Sequence, residues 1–208
     1  MASLALLLMI FAGNVQNQWQ PEFEKAQDRL LLQHALSQGP PLSKSFASPL
    51  QAADWIANMS QRLEKFIPDW RERIGLLRVV HYEATRAGID PQLALAIIEV
   101  ESHFNRYAVS KVGAIGYMQV MPFWIKEIGN KNDNLFHIQT NIRYGCTILR
   151  YYLDREKGHL AKALGRYNGT INGPYPRLVL NRLDGRWTIS SNKLASLSKT
   201  VYQQASAQ

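Results

Sequence analysis

Pro91 to Phe104 reads PQLALAIIEVESHF. Leu93, Ile97 and Glu101 follow at four-residue spacing and stack on one helix face, which Ala94 and Ile98 widen. Asp90 stands at the N-cap and Pro91 at the first helical position, both favourable for starting a helix. Glu101 continues the apolar stripe and is expected to be partly desolvated. Glu99 lies roughly 200° round the helix from it and is expected to face solvent. A carboxyl in an apolar setting resists ionising, and a proton retained near neutral pH is what a general acid needs. A buried ion pair to Arg or Lys would account for such a carboxyl equally well, so the helix alone leaves both readings open.

The next segments break that tie. Gly113 to Pro122 reads GAIGYMQVMP, a glycine-hinged loop. It is followed by Asn141-Ile142, Tyr144-Gly145 and Arg166-Tyr167-Asn168-Gly169. A Glu-Ser pair such as Glu101-Ser102 carries no information by itself, but the glycine loop with Met-Gln and Met-Pro is specific. Together the ordered blocks resemble the soluble-lytic-transglycosylase catalytic domain, a lysozyme-like fold related to goose-type lysozyme. The resemblance covers roughly residues 72–180.

The resemblance implies that Glu101 is the single catalytic acid and base, and that Ser110, Gly116, Gln119, Met121 and Tyr167 line a sugar-binding groove. Gly113 and Gly116 would let the loop approach a sugar closely. Gln119 would bond an acetamido or hydroxyl group, and Met121 would give an adaptable apolar wall. Tyr167 would orient the Glu101 carboxyl through its hydroxyl. Taken singly, each is as readily a turn, a loop polar group or core filler; their order carries the reading. Asn141, Ile142, Tyr144 and Gly145 read as packing for a long helix behind the cleft. Ser102 reads as an orienting or capping residue rather than a nucleophile, since no base is positioned for it. The chain departs from the family at the groove rim. Arg166 and Gly169-Thr170 stand where Ala-Tyr-Asn-Ala-Gly is common, Tyr117 replaces an aliphatic residue before Met-Gln, and Asn172 to Pro176 matches no common pattern.

The activity so implied is cleavage of the β-1,4 bond between N-acetylmuramic acid and N-acetylglucosamine in peptidoglycan, with formation of 1,6-anhydro-N-acetylmuramic acid. Most glycosidases use two carboxylates. Here Asp133 and Asp154 qualify as a second acid only by sequence proximity, and neither matches a family position. A goose-type muramidase, in which water attacks, and a non-catalytic wall-binding scaffold are the alternatives. No cofactor or metal is expected. Peptidoglycan strands are the expected partner, with a secretion or flagellar envelope machine as a further one.

The 208 residues fit one domain plus appendages, and 46% hydrophobic content suits a real core. The net charge of +8 is scattered, with no basic run of five or more, which argues against nucleic-acid binding and suits an anionic wall. Cys146 is the sole cysteine and falls in an apolar helical stretch, so it reads as a buried structural thiol. His34, His81, His103, His137 and His159 form no metal-binding spacing, and His103 reads as a surface residue.

MASLALLLMIFAG, at 1–13, is too short to span a bilayer and reads as a signal-peptide core, with export to the bacterial periplasm expected. Retention of that segment as an anchor is the alternative. Residues 1–20 are thus assigned to a signal peptide and loose segment, 21–70 to a helical extension, 71–186 to the lysozyme-like domain and 187–208 to a flexible tail. Helices are expected over 21–38, 49–66, 70–87, 91–104, 122–129, 137–155, 160–167 and 178–183, with loop or short irregular strands at 105–121. The class is mainly α.

Overall fold

The computed structural model describes residues 45–189. The signal-peptide segment, the 21–38 helix and the tail beyond Ile189 lie outside the described residues. Among the described residues seven α-helices follow one another: α1 (Pro49–Leu63), α2 (Trp70–Arg86), α3 (Pro91–Ser102), α4 (Phe123–Ile128), α5 (Ile138–Arg155), α6 (Leu160–Asn168) and α7 (Tyr175–Arg182). A π-helical turn, Leu183–Trp187, continues α7. The architecture is mainly α, as expected.

The helix starts follow from their caps. The Asp69 carboxylate accepts from the Arg71 and Glu72 amides, and that of Asp90 from Gln92, satisfying N–H groups that have no partner inside the helix. The α7 start was missed. Proline at 174 and 176 reads as a breaker in sequence, yet a fixed φ is compatible with a first helical turn, and α7 begins at Tyr175.

The most buried helix is α3, where every residue from Leu93 to Glu99 is buried. It packs against α2, α7 and the π turn, while α5 packs against α2 and α6. Because α3 is covered all round, the solvent face assigned to Glu99 does not exist. Glu99 is 3% exposed. Its Oε2 accepts from Trp187 Nε1 at 2.9 Å, and its Oε1 lies 3.2 Å from Arg182 Nε and 3.3 Å from Arg186 Nη1. A buried carboxylate is tolerable when it is paired and hydrogen-bonded in this way. Trp187 itself is fully buried, so the residue placed at the start of a loose tail is a core residue.

The α1 helix is not separate from the rest. Met59 and Leu63 are fully inaccessible and share the common core. Arg73 Nη1 donates to the Ile67 and Pro68 carbonyls, and its Nε to Ser60 Oγ, fixing the α1–α2 corner. Arg62 Nη1 donates to the Arg186 carbonyl, linking α1 to the far end of the fold. Between α2 and α5, the fully buried Glu83 receives Arg86, Arg143 and Gln139. Among the described residues no helix is long and apolar enough to cross a membrane.

Candidate active site

The α3 helix ends abruptly. His103 and Phe104 both take left-handed backbone conformations, φ 50° and 63°. The reversal buries the Phe104 ring against Phe66 and Trp187, at centroid distances of 4.9 and 5.5 Å, and leaves His103 exposed. Glu101 and Ser102 are thereby left on the last turn of a buried helix, beside the 105–121 loop.

That loop is shaped by two small antiparallel bridges, Val109 with Ile115 and Ile115 with Val120. Three helices hold it, each through one polar side chain. From α3, Ser102 Oγ lies 2.9 Å from the Tyr117 carbonyl, to which it can donate. From α5, Asn141 Oδ1 accepts from the Met118 amide at 2.8 Å, while Nδ2 donates to the Ile115 and Leu135 carbonyls. From α6, Tyr167 Oη donates to the Met118 carbonyl at 2.8 Å. Backbone groups that form no regular ladder are satisfied in this way.

The groove that opens over the loop is lined by Glu101, Ser110, Gln119, Met121 and Tyr167, with Phe123, Trp124 and Ile148 on its apolar side and Arg166 and Asn168 at the α6 wall. Five of the six residues expected there are brought together. Gly116 is not among them: it is buried beneath the loop at φ 77°, where a Cβ would stand 2.5 Å from Asn141 Nδ2. Its smallness serves the loop's seat on α5, and its sign of φ the turn itself.

Gln119 has φ 48°, strained for a residue with a side chain. Its Nε2 donates to the Ala108 and Gly116 carbonyls, which leaves the side-chain oxygen of this groove-lining residue as an acceptor. Ser110 Oγ accepts from the Ala114 amide. Met121 adds an apolar wall beside Phe123 and Trp124.

Glu101 reaches the groove but is surrounded by dense protein, and burial pushes its carboxyl up to about 7. A hydrogen bond from Tyr175 opposes that rise. Tyr175 Oη donates to Glu101 Oε1 at 2.6 Å. The orienting hydroxyl is therefore on α7, not on Tyr167 as expected. Sequence reasoning missed Tyr175 because it lies in the Asn172–Pro176 stretch that carried no recognisable pattern. Both phenols are held neutral by burial, with the nearby Glu101 carboxyl acting in the same direction.

The other carboxylates considered are engaged elsewhere. Asp133 Oδ2 accepts from Tyr144 Oη and from the Asn130 amide. Asp154 pairs with Arg150. Among the described residues, Glu101 is the only carboxylate lining the groove, and no group of three His, Cys, Asp or Glu side chains could hold a metal ion. Cys146 is fully buried, and burial raises its thiol far above the range of a reactive cysteine. The arrangement offers one carboxylic acid, able to keep its proton up to near neutral pH and fixed by a phenol, in a groove with one apolar side.

Residues 78–173 match the transglycosylase SLT domain. The chain is 54% identical over 144 residues to a membrane-bound lytic murein transglycosylase C of Haemophilus ducreyi, covering 61% of this chain and 38% of that protein. It is 35% identical over 103 residues to a transglycosylase of Enterobacteria phage PRD1, covering 50% of this chain and 36% of that protein. A lytic murein transglycosylase C of Glaesserella parasuis is 44% identical over 86 residues, covering 36% of this chain and 24% of that protein. The chain thus spans less than two fifths of the length of these relatives.

Proposed function

We propose, from the premise that residues 78–173 belong to the transglycosylase SLT domain family, that this chain is a peptidoglycan lytic transglycosylase acting in the bacterial envelope. The observation that carries the reading is the Glu101 carboxyl, raised to about 7 by burial and held by Tyr175, in a groove with no second carboxylate among the described residues. The relatives whose names contain lytic murein transglycosylase support the substrate class.

One group must then serve twice. The protonated Glu101 donates to the oxygen bridging N-acetylmuramic acid and N-acetylglucosamine, and the bond to C1 breaks. The substrate's acetamido oxygen stabilises the cationic centre. Glu101, now a carboxylate, accepts the proton of the muramoyl 6-hydroxyl, and that oxygen closes on C1. A tethered hydroxyl needs no second acid to position a water, and it gains from proximity. Tyr175, by donating to Oε1, fixes the carboxyl in both states. Ser110, Gln119, Met121 and Tyr167 form the surrounding sugar contacts in this reading.

The test is mass spectrometry of digested sacculi. Muropeptides ending in 1,6-anhydro-N-acetylmuramic acid, each lighter by one water than the hydrolytic product, are expected. Reducing ends as the dominant product would make the chain a muramidase, and undigested sacculi would leave only a binding role.

A further inference from the structure

Among the described residues two carboxyl or guanidinium groups line the groove, Glu101 and Arg166. Glu101 changes charge near pH 7 whereas a guanidinium is charged throughout, so Arg166 supplies the groove's permanent charge. The sequence has Arg at this position where the resembled family commonly has Ala, so the cation is not needed for the shared chemistry.

The Arg166 side chain is 32% exposed. Its Nε donates to Glu156 Oε1 at the C-terminal end of α5. A guanidinium carries one N–H on Nε and four on its two terminal nitrogens. Among the described residues no protein acceptor bonds to those four. Glu156 is largely buried and fixes the plane of the fork, and Tyr152 lies close enough for its phenol to feel the Arg166 charge. An anchored guanidinium with both terminal nitrogens uncommitted is pre-organised for a planar, two-oxygen acceptor. Carboxylate has that geometry.

We infer that Arg166 is a specificity-determining residue that binds a carboxylate borne on the 3-O-lactyl arm of a muramoyl residue in the groove. The inference rests on the transglycosylase reading and deepens it. The carboxylate has two sources: the lactyl group itself, where the stem peptide has been removed, or a carboxylate of the stem.

The experiment compares soluble glycan strands in four forms: stripped of stem peptides, bearing tetrapeptide stems, and each of these with its carboxyls converted to amides. Wild type is expected to show a KM about tenfold lower on the carboxylate forms than on their amides, as one charge-assisted pair would give. That gap should shrink as salt is added. The stripped form being the better substrate assigns the lactyl carboxylate, and the stem-bearing form being better assigns the stem. Arg166→Gln should lose the gap by a raised KM with kcat nearly unchanged, and Arg166→Lys should keep part of it. Equal KM on native and amidated strands in the wild type would overturn the inference, whether or not Arg166→Gln folds. Wild type cleaving neither strand would instead strike the transglycosylase reading itself.

Discussion

Tyr175 Oη and Glu101 Oε1 are 2.6 Å apart, joining two residues that lie 74 positions apart in the chain. The contact is between the first turn of α7 and the last turn of α3, two helices that pack against each other. It has an electrostatic sign. A phenol donating to a carboxylate favours the charged form, and it works against the burial that raises Glu101.

Tyr175→Phe should therefore move the alkaline limb of the kcat/KM profile to higher pH, while lowering kcat about tenfold through a less well held acid. Tyr167→Phe should act differently. Its hydroxyl bonds the Met118 carbonyl, so its loss loosens the loop and raises KM without moving the limb. A pH–rate profile of both variants checks this. A limb that moves in Tyr167→Phe and stays in Tyr175→Phe would return the orienting role to Tyr167.

Glu101→Gln should abolish cleavage and alter stability in a pH-dependent way. The folded carboxyl titrates near 7 against an ordinary value of 4.5. Between these two values the folded state binds more protons than the unfolded state, so this group's contribution to stability falls as pH rises through that window. Above it the wild type bears the full cost of an ionised, desolvated carboxylate, on the order of 1–2 kcal/mol after discounting for the side open to the groove. The amide has no such cost. Glu101→Gln should melt higher than wild type at pH 8, with the difference fading below pH 4.5, as denaturation at several pH values would show.

Much of this fold was legible because its signals are local. Asp69, Asp90 and the proline after Asp90 mark helix starts that need only neighbouring amides. The stripe through Leu93, Ile97 and Glu101 found the acid because a four-residue repeat is a property of one helix. What was not legible is long-range. Glu99 reads as solvent-facing on an isolated helix, and only the packing of Trp187, Arg182 and Arg186 over it makes it a buried ion-pair centre. Gly116 reads as a gap left for sugar until Asn141 is seen to fill the space. Tyr167 and Tyr175 are both within reach of the Glu101 field, and sequence order cannot say which hydroxyl turns to the carboxyl and which to a loop carbonyl.

Gly145 on α5 faces Met118 so closely that a Cβ would stand 2.3 Å from its sulfur and 2.7 Å from its Cβ. The nearer atom is flexible but the Met118 Cβ is not, so the loop must move. Overpacking of this kind costs about 1–3 kcal/mol. Gly145→Ala should lower the melting temperature, and it should raise KM because the displaced segment carries Gln119. Pairing it with Met118→Ala, which frees the space beyond Cβ, should recover part of the loss. Simple additivity of the two variants in a double-mutant cycle would show that the two sites do not press on one another.

Tyr117 sits where the family's loop carries an aliphatic residue, and it is 1% exposed with no hydrogen-bond partner for its hydroxyl among the described residues. Burial pushes its phenol up to about 12, so it stays neutral at any working pH. The ring fills core volume usefully, but the hydroxyl has given up water without a replacement, which costs about 1–3 kcal/mol. Tyr117→Phe keeps the ring and removes only that oxygen. It should raise stability by about 1 kcal/mol, less than the full penalty because the vacated space is left unfilled. The groove is lined by Gln119 and Met121 and not by Tyr117, so kcat and KM should be unchanged. Chemical denaturation of the variant beside wild type measures the difference. A clear loss of stability would mean that the hydroxyl is bonded in solution, and its partner would then have to be sought around Arg106 and Glu72, the charged groups whose fields reach it.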